Sequence, residues 1–413
     1  MDVVVVGAGI GGLTTALALH AAGIDQVTVL ERVPEIRPLG VGINLLPHAV
    51  RELTELGLAD ELASIGVATA ELVYYDRFGS RIWGEPRGLA AGYHWPQYSV
   101  HRGQLQLMLL GAVRERLGEG AVRCGAYVTS AETAGGRGVV RWSDPTGAES
   151  ADADVVVAAD GIHSSVRSQW HPDEGPPEWN GSLLWRGTSQ AEPFLTGRSM
   201  IMAGHRSEKF VAYPISASVE GTQMVNWIAE RQVEPTEFAR EDWNRQVDID
   251  RFAHHFDAWQ FDWLDIPRLI HSGIAVFEYP MVDRPPLTTW TRDRVTLLGD
   301  AAHPTYPIGS NGSSQAIIDA RVLAHCLACS PPDAALRRYE KLRLPPTRAL
   351  QQSNRRMGPE VVMQLAHERA PDGFAEVSDV FAEGELERIA ADYKAVAGFS
   401  PDELNTRASW SVS

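Results

Sequence analysis

Cysteine is scarce in this chain, with three in 413 residues, too few for a disulfide framework. Two of them, Cys326 and Cys329, share a C-x-x-C spacing. That pair falls at the end of a helix predicted over Gln315 to Ala328, where a disulfide is awkward. No second cysteine pair completes a zinc site, and His325 is expected to point elsewhere on the helix, so no metal is expected. Positive charge is also short: 37 Lys and Arg against 53 Asp and Glu give a net charge of −16. This balance speaks against nucleic acid and anionic membrane surfaces as partners. No uncharged apolar run is long enough to span a bilayer. The first strand begins almost at once, leaving no room for a signal peptide, and the expected compartment is the cytoplasm. Internal repeats, low-complexity tracts and heptads are missing, as is the Gly-x-Ser-x-Gly elbow of many hydrolases.

What is present is concentrated at the start. Val3 to Val6 runs into Gly7-Ala8-Gly9-Ile10-Gly11-Gly12, a helical stretch follows from Leu13 to Ala22, and Gln26 to Leu30 reads as a second strand ending on Glu31. Strand, glycine turn, helix, strand and acid together form a dinucleotide-binding fingerprint. Gly7 permits the turn, Gly9 lets backbone approach a pyrophosphate, and Gly12 lets the helix pack on the sheet. The helix N-terminus offers unpaired N–H groups to phosphates, and Glu31 can accept bonds from ribose hydroxyls. The motif reads only an adenosine diphosphate, so on its own it leaves NAD and FAD both open.

Two later segments repeat the pattern of an apolar strand closed by Gly and Asp: Asp154 to Gly161 and Arg294 to Asp300. Continuous apolar runs suit a sheet covered on both faces, and ligands of such sheets bind beyond the strand carboxyl ends. Between about residues 176 and 271 the runs shorten, as in Phe210 to Tyr213 and Met224 to Ile228. An antiparallel sheet is expected there, rich in tryptophan (Trp170, Trp179, Trp185, Trp227, Trp243, Trp259, Trp263 and Trp290 lie in or beside it), most of it for core packing. After Pro345-Pro346 the chain reads as helical through Leu386, Ile389 and Tyr393, with residues 407–413 expected to be disordered.

The three strand ends, in order and spacing, resemble those of the group A flavoprotein monooxygenases, the FAD- and NAD(P)H-dependent aromatic hydroxylases of the para-hydroxybenzoate hydroxylase type. Ala159 to Arg167 is similar to the second family motif and Gly299-Asp300-Ala301-Ala302-His303-Pro304 to the third. Within the family the likeness is greatest to phenazine-modifying monooxygenases, through Ile36 to Asn44, Gln97 to Gly103, Trp185-Arg186-Gly187, Ala212 to Ser216 and Tyr279 to Arg284. The resemblance covers roughly residues 1–350; the remainder shows no comparable match.

It implies an α/β fold: a discontinuous Rossmann-like FAD-binding domain (1–70, 98–175 and 272–350), an antiparallel substrate domain (71–97 and 176–271) and a C-terminal helical segment (351–413). It implies non-covalent FAD, with NADPH or NADH as a transient co-substrate, since no second Gly-x-Gly-x-x-Gly fold is available. It places the cofactor on Gly7, Gly9, Gly12, Glu31, Arg32, Gly42, Arg102, Asp160, Asp300 and Gly312. Asp300 would accept bonds from the ribityl hydroxyls or else cap the next helix; Arg102 would reach the phosphate or ribityl region or else form a surface ion pair. Asp160 would couple flavin and nicotinamide binding, with Arg167 either helping to hold nicotinamide charge or serving a structural ion pair. His163 and His303 read as structural.

The backbone of Pro307 and Gly309 would run beneath the flavin, and the helix from Ser313 would aim its N-terminus at the ring. Trp185, Arg186, Tyr213 and Met281 are candidates for the substrate pocket, each of which could equally be core. The implied reaction inserts one atom of O2 into an aromatic or heteroaromatic substrate through a flavin hydroperoxide. The substrate class is a phenazine carboxylate, with decarboxylation; a salicylate-like phenol, or hydride transfer without oxygen insertion on the same scaffold, are the alternatives. A monomer or homodimer is expected.

Overall fold

The computed structural model describes residues 1–234 and 245–412; Trp243 and Ser413 lie outside them. Its first sheet has six strands, in the order Thr291–Arg292, Val295–Leu297, Val155–Ala158, Asp2–Val6, Gln26–Glu31 and Val122–Cys124. All pair in parallel except the Thr291–Arg292 edge. Val3 to Val6 are buried, because helices cover both faces of a parallel sheet. The helix Ile10–Ala21 packs against Gly312–Cys329 and Arg102–Leu117. Three neighbouring strands, ending at Val6, Ala158 and Leu297, bring their following loops together at one edge. Segments about 150 and 290 residues apart in sequence thereby share one place.

The second sheet has eight strands: Arg245–Gln246, Val276–Asp283, Glu178–Ala191, Gln223–Gln232, Glu208–Pro214, Ser199–His205, Glu71–Tyr75 and Arg81–Pro86. Pairing is antiparallel apart from Ser199–His205 with Glu71–Tyr75, which is parallel. The expectation of a purely antiparallel sheet is corrected at that one pair. Val276–Asp283 also belongs to this sheet, although the boundary at 272 assigns it to the first domain. One face of the sheet packs Trp185, Phe210 and Trp227 against Phe252, Phe256 and Ile270. Residues of alternate parity point the other way, toward the cavity and the C-terminal helices.

The C-terminal part is helical, with Val361–Arg369, Glu385–Val396 and Pro401–Thr406. Val362, Met363 and Ala366 pack on Leu72, Tyr74 and Val211 of the second sheet. The helix Pro332–Arg355 runs through Pro345-Pro346 rather than breaking there. Both prolines lie on its exposed side, where water satisfies carbonyls that lose their donors, and Thr347 Oγ1 donates to Arg343 O at 2.9 Å. Residues 407–412, expected to be loose, are docked: Arg51 donates to Arg407 O at 2.8 Å, and Ser409 Oγ to Glu55 at 2.6 Å. Among the described residues no helix is long and apolar enough to cross a membrane.

Candidate active site

A cavity of about 390 Å³ lies between the two sheets, within the range of small-molecule sites. At one end it is lined by Gly9, Ile10 and Gly11, by Ala159 and Gly161, and by Gly299 and Asp300, which are the three strand ends. Gly7 has φ +98°, and a Cβ there would lie 2.6 Å from Ala159 O; a Cβ on Gly12 would lie 1.9 Å from Gly7 O. A Cβ on Gly9 would meet nothing within 4 Å, so at the cavity mouth that glycine clears space for a ligand rather than for the protein. Gly9 is the N-cap of Ile10–Ala21, which has no side-chain cap and no acid in its first turn. Its N–H groups are therefore available to an anion.

The acids of this end differ in what they do. Glu31 accepts from the amides of Ala8 at 2.8 Å and Val33 at 3.0 Å, so it braces the glycine turn with both carboxylate oxygens. Arg32 is exposed and feels His163; it does not line the cavity. Asp160 Oδ2 accepts from Ser165 N at 2.8 Å and Oγ at 3.0 Å, while its Oδ1 is buried without a partner. Burial raises the Asp160 pKa despite these bonds. Asp300 lines the cavity and makes no capping bond; the helix Gly312–Cys329 takes Asn311 as its N-cap. The Asp300 side chain is open to the cavity, and the surrounding protein's desolvation is the first cause of its raised pKa, offset by His303 and Arg102. Asp300, which lines the cavity without a capping bond, is placed to accept from ribose or ribityl hydroxyls, whereas Asp160 stands just behind the lining. The residues present fit FAD.

Behind Asp300 stands a buried ionic network. Asp319 Oδ2 lies 2.5 Å from His303 Nε2, and its Oδ1 accepts from Arg343 Nε at 2.6 Å. Gly299 N also donates to Asp319, at 3.2 Å. These charges hold the Asp319 pKa down to about 2, against the upward push of burial, which is the largest single influence. Arg167 is likewise structural: it pairs with Glu174 at 2.5 Å and donates to the carbonyls of Ala301 and Ala302.

Arg102 heads the helix Arg102–Leu117 and lines the cavity. Pro307, Ile308, Ser310, Asn311, Gly312 and Ser313 line the same wall. No acid occupies the first turn of Gly312–Cys329, so its dipole is free to meet negative charge. Gly309 (φ +65°) turns away from this wall; a Cβ there would lie 1.9 Å from Tyr393 Oη. Gly309→Ala is therefore expected to displace the loop and weaken FAD retention about tenfold, the scale of an overpacked contact, read as the ratio of flavin to protein absorbance after gel filtration.

The second sheet supplies the far end. Leu184, Arg186, Met202, Val211, Tyr213, Ile228, Tyr279 and Met281 line it. Trp185 does not. It stacks on Phe252 with ring centroids 4.6 Å apart and its Nε1 donates to Glu278 at 2.9 Å. The expectation that it forms pocket wall is corrected by strand parity: Leu184 and Arg186 face the cavity, so Trp185 faces the core. Met281 is buried, and Asn180 Nδ2 lies 2.9 Å from its sulfur. The Tyr213 hydroxyl meets Arg186 and Asn226, and burial pushes its pKa up to about 12.

Arg186 is the most telling side chain here. Its Nη2 donates to Gly42 O at 2.9 Å, and it sits 5.9 Å from the Tyr279 ring centroid. Its Nε is buried with no hydrogen-bond partner. Among the described residues no carboxylate comes within 4.0 Å of it. Gly42 itself is off the cavity; its N–H donates to Asn226 Oδ1 at 2.6 Å, so its service is to anchor Arg186. Sequence reasoning passed over Lys209, Glu230 and Glu360, which line the same end. The available signal was charge inside apolar strands, at Lys209 beside Phe210 and Glu230 beside Ala229. Cys326 is buried and Cys329 exposed, both unbonded, and His325 Nε2 lies 3.9 Å from Cys329 Sγ. His325 and Cys329 thus share one helix face at the i, i+4 spacing, apart from the buried Cys326.

The family model described as FAD binding domain matches residues 1–353. The chain is 48% identical over 362 residues to phenazine 1,6-dicarboxylic acid hydroxylase PhzS of Lysobacter antibioticus, covering 86% of this chain and 89% of that one. It is 33% identical over 373 residues to 3-amino-4-hydroxybenzoate 2-monooxygenase PtnB3 of Streptomyces platensis, covering 87% and 88%. The fold is shared with HpxO of Klebsiella pneumoniae, solved with FAD and uric acid, at a TM-score of 0.72 and 24% identity over 98% of this chain and 95% of that one. With the glycine turn, Asp300 at the cavity wall and a second sheet closing the cavity, the chain belongs to the FAD-binding-domain family and is an FAD-dependent aromatic monooxygenase.

Proposed function

We propose that the substrate is a flat aromatic carboxylate of the phenazine carboxylate class, held by its carboxylate on Arg186 and hydroxylated with loss of carbon dioxide. The observation that carries this reading is the uncompensated guanidinium, with Nε buried and unpartnered in the cavity wall. Arg186 is half-buried; a guanidinium partly withdrawn from water without a counter-ion is costly, and a carboxylate matches its planar fork. The relative named for a phenazine dicarboxylic acid supports the ring system. Val211, Ile228 and Met202 form an apolar floor beside Arg186. Tyr213 and Lys209 stand four residues apart on one strand, about 13 Å at strand rise, a span suited to fused rings.

Bound FAD supplies the redox chemistry linking NAD(P)H, dioxygen and the substrate. Gly9, Arg102, Asp300 and the N-terminus at Gly312 would hold it, with Asp160 at the nicotinamide side. Arg186 and Tyr213 fix the ring plane, and Leu184, Met202 and Met281 keep water from the reacting carbon. Where hydroxyl arrives at a carboxyl-bearing carbon, the C–C bond breaks, its electron pair restores the aromatic ring, and carbon dioxide departs in place of a proton. The test is substrate-stimulated NAD(P)H consumption by the holoenzyme. Phenazine-1-carboxylate is expected to stimulate it at least about tenfold more than unsubstituted phenazine, one missing ionic contact being about 1.4 kcal/mol or more. Equal stimulation by the two would overturn the reading.

A further inference from the structure

Two residues along the sheet from Arg186, at the position paired with Leu184, the cavity carries a second polar cluster. Lys209 and Glu230 face each other across neighbouring strands. Lys209 Nζ lies 2.7 Å from Glu230 Oε2 and 2.6 Å from Glu360 Oε2. All three side chains are at least nine-tenths buried, and all three line the cavity. Glu360 Oε1 also accepts from Gly309 N at 3.3 Å, tying the cluster to the loop of Pro307 and Gly309. Two carboxylates share one ammonium, so the ionised cluster carries one excess negative charge. Glu230 Oε2 is taken up by the Lys209 ammonium and is inaccessible, whereas Glu230 Oε1 accepts no hydrogen bond from the described residues and is not among the buried oxygens. A carboxylate oxygen without a donor, Oε1, on a residue of the cavity wall calls for a donor from whatever enters.

We propose that Glu230, backed by Lys209 and Glu360, is a specificity pole that takes a hydrogen-bond donor from the end of the substrate remote from its Arg186-bound carboxylate. The donor is a hydroxyl, an amide N–H, or a carboxyl group that enters protonated. The inference rests on the aromatic carboxylate reading above. It divides two otherwise isosteric ligands. A carbamoyl group at the far end brings its own donor. A second ionised carboxylate meets net negative charge, so it binds only with one proton taken up from solvent and shared with Glu230. The other titratable groups beside Glu360 are Tyr74 and Tyr393, whose pKa values burial pushes upward, leaving them neutral. Nearby, Arg87 stays paired with Glu85 at 2.7 Å.

The experiment titrates the FAD-loaded enzyme with phenazine-1,6-dicarboxylate and with its mono-amide, 6-carbamoylphenazine-1-carboxylate, following the flavin absorbance between pH 6 and pH 9. The dicarboxylate is expected to weaken by about tenfold per pH unit toward the alkaline end, as binding with uptake of one proton requires, while the mono-amide stays flat. Glu230→Gln, which supplies an N–H donor in the same shape, is expected to flatten the dicarboxylate curve and tighten its binding at pH 9. A merely structural lesion cannot produce that gain. Flat, equal curves for both ligands, or equal weakening of both in Glu230→Gln, overturn the pole and leave the Arg186 reading standing. If neither ligand binds, the aromatic carboxylate reading falls, and the pole with it.

Discussion

Replacing Arg186 with Gln is expected to weaken binding of phenazine-1-carboxylate by about 100- to 1,000-fold, or about 3 to 4 kcal/mol, with FAD content unchanged. The size follows from burial. A carboxylate that loses its cationic partner beside Leu184, Val211 and Ile228 is left desolvated and unpaired. The selectivity follows from position: Arg186 lies on the second sheet, whereas the glycine turn and Asp300 follow strands of the first. Arg186→Lys keeps the charge and loses the fork, so an intermediate loss is expected. Unsubstituted phenazine should bind wild type and variant alike. Titration of the flavin absorbance by each ligand checks all three outcomes. Loss of FAD together with ligand affinity would instead mark Arg186 as a scaffold residue.

The second large effect is expected behind the cofactor. Asp319→Asn removes the charge that joins His303 to Arg343 and leaves both buried with weaker partners. Breaking a buried ion pair from one side costs about 3 to 5 kcal/mol. Because Gly299 N also donates to Asp319, the loop bearing Asp300 should loosen and FAD retention should fall with stability. Denaturant unfolding of the holoenzyme, followed by flavin release and by tryptophan fluorescence, checks both effects. The sign with pH is fixed by the direction of the shift. The Asp319 pKa is depressed in the fold, to about 2. Its contribution is therefore present above the unfolded carboxyl value and is lost as pH falls toward about 2. Asp319→Asn should remove this part of the acid sensitivity. An unaltered unfolding midpoint in the variant would contradict the role.

The cofactor end of the molecule was largely legible in the sequence, because its determinants are local. A glycine turn, an apolar strand and a helix start lie within a few residues of each other, and chain order alone brings the three strand ends to one sheet edge. Even there, Glu31 shows the limit: an acid at the right spacing braces the turn through Ala8 and Val33, a partner set that spacing does not reveal. The substrate end was less legible, because parity decides it. The strand Glu178–Ala191 is buried on both faces in its middle, so alternation of apolar and polar residues does not mark which side meets the cavity. Trp185 and Arg186 are neighbours in sequence and point to opposite sides. Glu360 lay beyond reach altogether, since its partners Lys209 and Gly309 are distant in the chain. The chain reads as helical after Pro345-Pro346, yet the helix Pro332–Arg355 already contains that pair, because exposure of one helix face, a tertiary property, decides whether proline is tolerated.

The most direct test of the central claim, that this cavity seats an aromatic carboxylate on Arg186 beside the flavin, is a crystal structure of the FAD-loaded enzyme with phenazine-1-carboxylate. The expected result has the carboxylate oxygens within hydrogen-bonding distance of the Arg186 guanidinium, about 2.7 to 2.9 Å, and the rings lying over Val211 and Ile228. A carboxylate turned instead toward Lys209, or a ligand seated outside the space between the two sheets, would contradict it.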